Sequence, residues 1–486
     1  MTMTLESAEA PLFSWRLVRD SSVPLAQQLA DKLAGQIEQR ALRAGARLPS
    51  IRDMAGLAAV SRFTVVEAYE LLVARGLIQS RRGAGFYVQA SAAPVEWPLA
   101  QPAPVERTTL DVSWLLRSMF QEAPPGGALS GSSGMLPPAW TDPEMLASAM
   151  RRVARLPTGY LLNYGLPEGY LPLRQQVARL LQRDGVELNP AGNLMTTGGV
   201  THGLSLVVRY LAQPGDTVLV EDPSWFVGFA NLAAQGIRPV GVPRGMRGLD
   251  LDRLEALAQL HRPRFFLCNS VVHNPTGHGM TARVAHEILR LAERYDFMVI
   301  EDDTYGDLAG GTPIRLAALD GFKRVILVGG FSKLMAANLR VGYLAAAPEH
   351  VAALCDLKML NGLSSPEVGE RLVYAVLAGG QYRRHVLRLR EKTDTARRIC
   401  HERLRALGLD PGLLPDAGLF LWTDCGVDAE RLAMAAADQG LLLAPGSLFS
   451  PSQQPSTHIR FSILLMQDER AWDRLARALA AVRGSD

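Results

Sequence analysis

The chain has 486 residues with an apolar share of 48%, which suits about three units at the usual ~150 residues per domain, and it holds no run of eighteen apolar residues that would suggest a membrane span. Basic and acidic side chains number 51 and 48, too even for a chain that is basic throughout, yet the excess is local: the first ninety residues hold 11 basic and 8 acidic, the rest 40 of each. Cys268, Cys355, Cys400 and Cys425 stand far apart without metal-ligand spacing, which argues against a disulfide framework or a zinc site and predicts reduced, mostly buried thiols. Met1 to Trp15 lacks a signal-type apolar core, so a cytoplasmic protein is the expectation.

From Pro24, the residues Leu25, Leu29, Leu33 and Ile37 recur at every fourth position and predict the apolar face of a helix. Ser50 with Asp53 at the capping-box position opens a second, shorter helix, and Ser61 opens a third after Ala58-Ala59-Val60. In the third helix Val65, Ala68 and Leu72 face inward. Arg62, Phe63, Thr64 and Glu67 are left near its exposed N-terminal end, the end that a recognition helix presents to base edges. Gly76 stops the helix, Leu77-Ile78 starts a strand, Arg81-Arg82-Gly83-Ala84-Gly85 makes a tight basic turn, and Phe86-Tyr87-Val88 returns. This is the pattern of a wing whose arginines, Arg82 included, would meet phosphates or a minor groove, with Arg52 as a further backbone contact. A helical protein-interaction module with solvated arginines is the plainer alternative; three helices of these lengths followed by a basic hairpin favour DNA.

The segments Arg47-Leu48-Pro49-Ser50-Ile51-Arg52, Val60-Ser61-Arg62 and Ala68-Tyr69-Glu70-Leu71-Leu72 resemble the winged-helix head of GntR-family regulators. The resemblance covers about residues 20–90 and implies a dimeric DNA-binding domain over about 15–90. It implies contacts from Arg47, Ser50, Arg52, Ser61, Arg62, Thr64, Arg81 and Gly83. Phe63 stands where a polar residue is commoner in that family. Residues 91–112 then hold Pro94, Pro98, Pro102 and Pro104 without apolar periodicity, the composition of a semi-extended linker.

Beyond residue 140, apolar runs at Thr217–Val220, Phe265–Leu267, Phe297–Ile300 and Arg324–Val328 alternate with helix-period segments and predict an α/β body with buried parallel strands. The polar signals fall just after these strands, where open α/β sheets bind ligands. Lys333, in Gly330-Phe331-Ser332-Lys333, is one of them. A lone lysine after a strand is usually a solvated charge, so its partners decide. An aldehyde cofactor such as pyridoxal 5′-phosphate needs a Schiff-base lysine, an acid on the pyridine nitrogen, donors to the 3′-oxygen and a phosphate cup. Asp302 offers the acid; Asn274 and Tyr305 offer the donors; Val200, Thr201 and His202 open a helix after a Gly-Gly pair and form the cup. Arg340, seven residues past the lysine, adds a fixed charge, and Trp225 offers a face for the ring.

In this order the motifs resemble the fold-type-I aminotransferase superfamily over about residues 140–486. That resemblance implies a body over 113–486, with a mostly parallel large domain at about 140–350 and a smaller C-terminal α+β domain at about 351–486. It implies that Lys333 carries the cofactor, that Asp302, Asn274, Tyr305, Arg340 and Val200 to His202 hold it, and that Tyr164 reaches the phosphate in a partner subunit. Arg460, in His458-Ile459-Arg460-Phe461-Ser462, matches the arginine that clamps a substrate α-carboxylate. Gly330 replaces the hydroxyl residue common three positions before the lysine, and His202 stands where glutamine is frequent.

The whole chain resembles the MocR subgroup of GntR-family regulators. This implies a homodimer, head-to-tail, that binds double-stranded DNA and senses pyridoxal phosphate or an amino-acid-type effector. An active aminotransferase with an accessory DNA-binding head is the alternative, since every principal cofactor residue is present.

Overall fold

The computed structural model describes residue 13 and residues 17–39, 41–81, 83–89, 129–130, 134–245 and 248–484. The expected linker and Arg82 lie outside the described residues. The described residues form two compact units, one before residue 107 and one after it.

The first unit contains helices α1 (Leu25–Glu38), α2 (Ile51–Leu57) and α3 (Arg62–Ala74) and the hairpin β1 (Ile78–Arg81) with β2 (Gly85–Val88). Leu29, Leu33, Met54, Val65, Ala68 and Leu72 are fully buried, as the four-residue spacing requires. Both predicted caps form. Ser50 Oγ accepts from the Asp53 N–H at 3.2 Å and Ser61 Oγ from the Thr64 N–H at 3.1 Å. Gly76 takes a left-handed φ of 68° just past α3, which a residue with a Cβ adopts only under strain. The hairpin pairs Ile78 with Val88 and Arg81 with Gly85. A further strand-like segment, not apparent from the periodicity, runs along the other side of β2: the Val88 N–H donates to the Ala46 carbonyl and the Leu48 N–H to the Phe86 carbonyl, both at 2.9 Å.

Among the described residues of the second unit, the two-residue strand β3 (Leu129–Ser130) comes first. Its main sheet contains β4 (Leu194–Thr197), β5 (Thr217–Asp222), β6 (Arg238–Gly245), β7 (Gly248–Leu249), β8 (Phe265–Cys268), β9 (Met298–Asp302), β10 (Val325–Gly330) and β11 (Gly342–Ala345). Their spatial order is β4-β11-β10-β9-β8-β5-β6-β7. The central strands are parallel; β11 runs antiparallel to both β10 and β4, and β7 antiparallel to β6.

Strand period divides the core in two. Val218, Val220, Ile326 and Val328 point to one face, under the helices Val200–Leu211 and Pro348–Gly362; Leu219, Val325 and Leu327 point to the other, under Ala282–Tyr295 and Leu316–Asp320. The sheet is thus covered on both faces, and the chain reversals at the strands' C-terminal ends are left to build a site.

Beyond the 26-residue helix Gln381–Ala406 lies a second antiparallel sheet. It is made of β12 (Phe420–Asp424), β14 (Ala444–Pro445) and β15 (His458–Ser462), with β15 central. Strand β13 (Leu441–Leu442) pairs with β3 instead. Helices Ala429–Asp438 and Glu469–Arg483 pack together over this part. The four cysteines are free and buried, as their spacing suggests.

Candidate functional site

The residues singled out after the strands converge at the C-terminal ends of β4, β9 and β10. Strand β4 ends at Thr197, Gly198 and Gly199 follow, and the next helix begins at Val200, with Thr201 and His202 in its first turn. Gly199 has φ 91°, and a Cβ there would lie 2.5 Å from Arg340 Nη2, so only glycine lets the arginine come this close. Arg340 donates to the Gly198 carbonyl at 3.0 Å and to Ser332 Oγ at 3.3 Å, which joins the segment after β10 to the turn after β4. His202 Nδ1 accepts from the Gly198 N–H at 2.9 Å, which leaves the ring proton on Nε2, aimed away from that bond. Burial holds the imidazole below its ordinary range, with Lys358 and Arg340 pushing the same way, so His202 is a neutral donor. A Cβ on Gly330 would meet Val200 Cγ2 at 3.1 Å. The missing hydroxyl before the lysine is therefore matched by a valine that fills the same space.

Lys333 follows β10. Burial, aided by the charges of Arg460 and Arg340, lowers its amine to about 8. Asp302 ends β9; burial pushes its carboxyl up while the Thr304 hydroxyl and N–H, both donating to Oδ1, hold it down. Asn269 Nδ2 fixes the Asp302 carbonyl at 2.7 Å. Asn269 in turn donates its N–H to Glu221 Oε2 at 2.8 Å, and Glu221 is paired with Arg244 in the dry interior. Thr304, Asn269 and the Glu221–Arg244 pair were not singled out from sequence. For Thr304 the D-x-T spacing was a usable signal, because a carboxylate readily bonds the N–H two residues on; for the others no local signal exists.

Arg460, in the middle of β15, is buried and donates from Nη1 to Asn274 Oδ1 at 2.9 Å. Its guanidinium lies 3.9 Å from the Phe420 ring centroid and 4.8 Å from that of Phe449. This low-polarity surrounding lowers it to about 10, against the opposing pull of Tyr305. Tyr305 is buried, its ring edge-on to Phe420 at 6.0 Å, and burial raises its hydroxyl. Trp225 sits half-buried just before the helix Phe226–Ala234, against the apolar layer over the sheet. Tyr164 is 82% exposed, so within one chain it is not enclosed with the other residues.

The arrangement fits a flat pyridine ring carrying a phosphate. A glycine cradle without room for Cβ, the first turn of a 12-residue helix and Arg340 suit the anion; an amine lowered to about 8 and a carboxyl at the ends of neighbouring strands suit the ring. No metal-ligating cluster is present among the described residues, and no helix among them is long and apolar enough to cross a membrane.

In the first unit Arg47, Arg52, Arg62, Arg81 and Gly83 are exposed. Arg81 stacks over Tyr87 at 4.6 Å, and the Arg47 side chain lies along Gly85, so the base of the wing is basic on both sides. The hydroxyls of Ser50, Ser61 and Thr64 are engaged in the helix caps: Ser50 Oγ donates to Asp53 Oδ2 at 2.6 Å, and Ser61 Oγ lies 2.8 Å from Thr64 Oγ1.

Residues 132–479 match the family "Aminotransferase class I and II", and residues 25–88 match "Bacterial regulatory proteins, gntR family". The chain is 28% identical to the uncharacterized HTH-type transcriptional regulator YdcR of Escherichia coli (strain K12), over 91% of this chain and 96% of that one. It is 30% identical to the 2-aminoadipate transaminase of Thermus thermophilus, over 76% of this chain and 94% of the enzyme. Among solved structures, LysN, an α-aminoadipate aminotransferase of the same organism complexed with N-(5′-phosphopyridoxyl)-L-leucine, superposes with a TM-score of 0.68 at 28% identity, covering 76% of this chain and 96% of LysN. The chain therefore belongs to the class I and II aminotransferase family and carries a gntR-family head before it, which is the pattern of MocR-type regulators.

Proposed function

We propose that the chain is a DNA-binding transcriptional regulator whose aminotransferase-like body holds pyridoxal 5′-phosphate and senses an amino-acid-type effector. The observation that carries this reading is the coexistence, in one chain, of a capped recognition helix beside a basic wing and a complete cradle of Gly199, Arg340, Lys333, Asp302 and Asn274. Bound pyridoxal phosphate supplies an aldehyde that an amine can capture reversibly. Lys333 would hold it, Asp302 would keep the ring nitrogen charged, Asn274 and Tyr305 would donate to the 3′-oxygen, and Arg340, His202 and the N–H groups of Val200 and Thr201 would hold the phosphate. Trp225 would cover the ring.

An amino acid would displace the Lys333 amine and set its α-carboxylate on Arg460, which β15 carries into the site. Pulling β15 toward the loop after β8 would favour one arrangement of the body over another. Moving such an equilibrium from 1:99 to 99:1 takes a differential affinity of about 5.5 kcal/mol, so the effector must bind one arrangement about 10⁴-fold more tightly than the other. Exposed Tyr164, flanked by exposed Leu161, Leu162 and Leu166, supports a head-to-tail homodimer in which Tyr164 completes the partner's phosphate site. In this reading the head spans 15–90, the linker 91–112 and the body 113–486, and the protein works in the cytoplasm. Arg47, Ser50, Arg52, Ser61, Arg62, Thr64, Arg81, Arg82 and Gly83 would form the DNA face.

A second reading, an active aminotransferase, draws on one observation: Lys333, lowered to about 8, can both give and take a proton near neutral pH. One experiment separates the two. DNA from the protein's own upstream region is titrated with the holoprotein, with and without each proteinogenic amino acid, while keto acid formed from that amino acid is assayed in parallel with 2-oxoglutarate added as the amino-group acceptor. An amino acid that changes DNA affinity supports the regulator; steady keto-acid production with no change in DNA affinity supports the enzyme.

A further inference from the structure

The N-terminal end of the recognition helix leaves a large apolar side chain in solvent. Phe63, the second residue of α3, is 77% exposed, although an aromatic ring gains more from burial than almost any other side chain. Val65, Ala68, Tyr69 and Leu72 take the inward face of α3, so the head's own core has no place for it. One turn on, its helical neighbours are Val66, half-buried, and Glu67, exposed.

The residues around Phe63 narrow its role. The Ser61 and Thr64 hydroxyls bond each other and Ser61 Oγ caps the helix, so within Ser61–Thr64 the side chains that project outward are Arg62 and Phe63. Arg47, Arg52 and Arg81, all exposed on the same small unit, supply the charges that a phosphate backbone requires. Phe63 has no hydrogen-bonding group with which to read a base edge. The major groove offers one apolar group to such a side chain, the 5-methyl of thymine.

We propose that Phe63 sets the base preference of the head by packing its ring on a thymine methyl group. The inference rests on the DNA-binding reading above and deepens it. The holoprotein, full length, is used to enrich binders from a library of random duplexes. Each thymine of the enriched duplex is then replaced by deoxyuridine, which keeps the base pair and removes only the methyl. Wild-type protein is expected to lose affinity by about fourfold at one or more thymines, the value of one buried carbon of this kind. Phe63→Ala is expected to bind the thymine and deoxyuridine duplexes equally while keeping the wild-type salt dependence, because no phosphate contact is lost. Phe63→Leu, which keeps an apolar tip, should retain most of the methyl sensitivity. Enrichment in which no thymine is sensitive, or a Phe63→Ala variant that keeps the sensitivity, overturns the inference and leaves the DNA-binding reading standing. A wild-type protein that enriches no duplex at all overturns both.

Discussion

Arg460 donates to the side-chain oxygen of Asn274 at 2.9 Å, and this bond joins β15 to the loop after β8 across 186 residues of sequence. It also orients the amide. With Oδ1 committed to the guanidinium, the Asn274 NH2 group is the end left to meet a ring oxygen. Arg460 itself is held by aromatic faces, which attract its charge without the full neutralisation that a carboxylate would give.

Replacing Arg460 should therefore separate cofactor from effector. Arg460→Lys keeps a charge but loses the planar fork that matches a carboxylate. The visible absorbance of bound cofactor should persist, while the amino-acid concentration needed to shift DNA affinity rises by roughly tenfold to a hundredfold, as for a lost charged hydrogen bond of about 1.5–3 kcal/mol. An unchanged effector response in this variant would remove the carboxylate clamp from the proposal.

The low value of Lys333 has a direct consequence in pH. Only the neutral amine attacks an aldehyde, so cofactor uptake by the cofactor-free protein should accelerate as pH rises through about 8 and level off above it. Arg460→Gln removes one of the charges that depress the amine, and the inflection should move up. Linkage runs in the same window: between about 8 and the ordinary 10.5 the unfolded chain binds a proton that the folded one does not, so stability rises with pH there and is lost as pH falls toward 8. Stopped-flow absorbance against pH measures the first effect, and a rate flat across that window would contradict it.

Gly199 is tested by the smallest possible change. Gly199→Ala places a methyl 2.5 Å from Arg340 Nη2 at φ 91°, and strain of this kind costs about 1–3 kcal/mol. The dissociation constant for pyridoxal phosphate, measured by absorbance titration, should rise by about fivefold to 150-fold, with DNA binding by the head retained. Unaltered cofactor affinity would mean that the cradle does not hold the phosphate.

Stability of the body depends on a buried ion pair behind β9. Arg315 donates from Nε to Asp303 at 2.9 Å and also bonds Asp184 at 2.5 Å. Arg315→Met would leave Asp303 buried beside Glu301 without its cation, at a cost of about 3–5 kcal/mol. Chemical denaturation of the body should show the loss, and a second substitution, Asp303→Asn, should recover part of it.

In the head, Arg62→Ala should weaken DNA binding and reduce the steepness of its salt dependence by about one counterion. Fluorescence anisotropy at several salt concentrations checks it. A changed base preference with an unchanged slope would assign Arg62 to a base edge instead of a phosphate.

Much of this molecule was legible in the order of its residues because the relevant forces are local. The four-residue spacing of Leu25 to Ile37, the caps at Ser50 and Ser61 and the stop at Gly76 each act within a turn or two of helix, and each appears where the spacing places it. That Lys333, Asp302 and Asn274 follow strands ending at one edge of the sheet could be expected from the sequence, because strand ends in a parallel sheet gather there. Tertiary packing decided the rest. That Ala46–Leu48 lines β2, that Asn269 braces Asp302, that Val200 fills the space beside Gly330 and that Phe420 and Phe449 face Arg460 all depend on partners far apart in the chain. Residue type alone does not choose among such partners, because the choice is made by close packing of the whole core, where each side chain takes the space that the others leave.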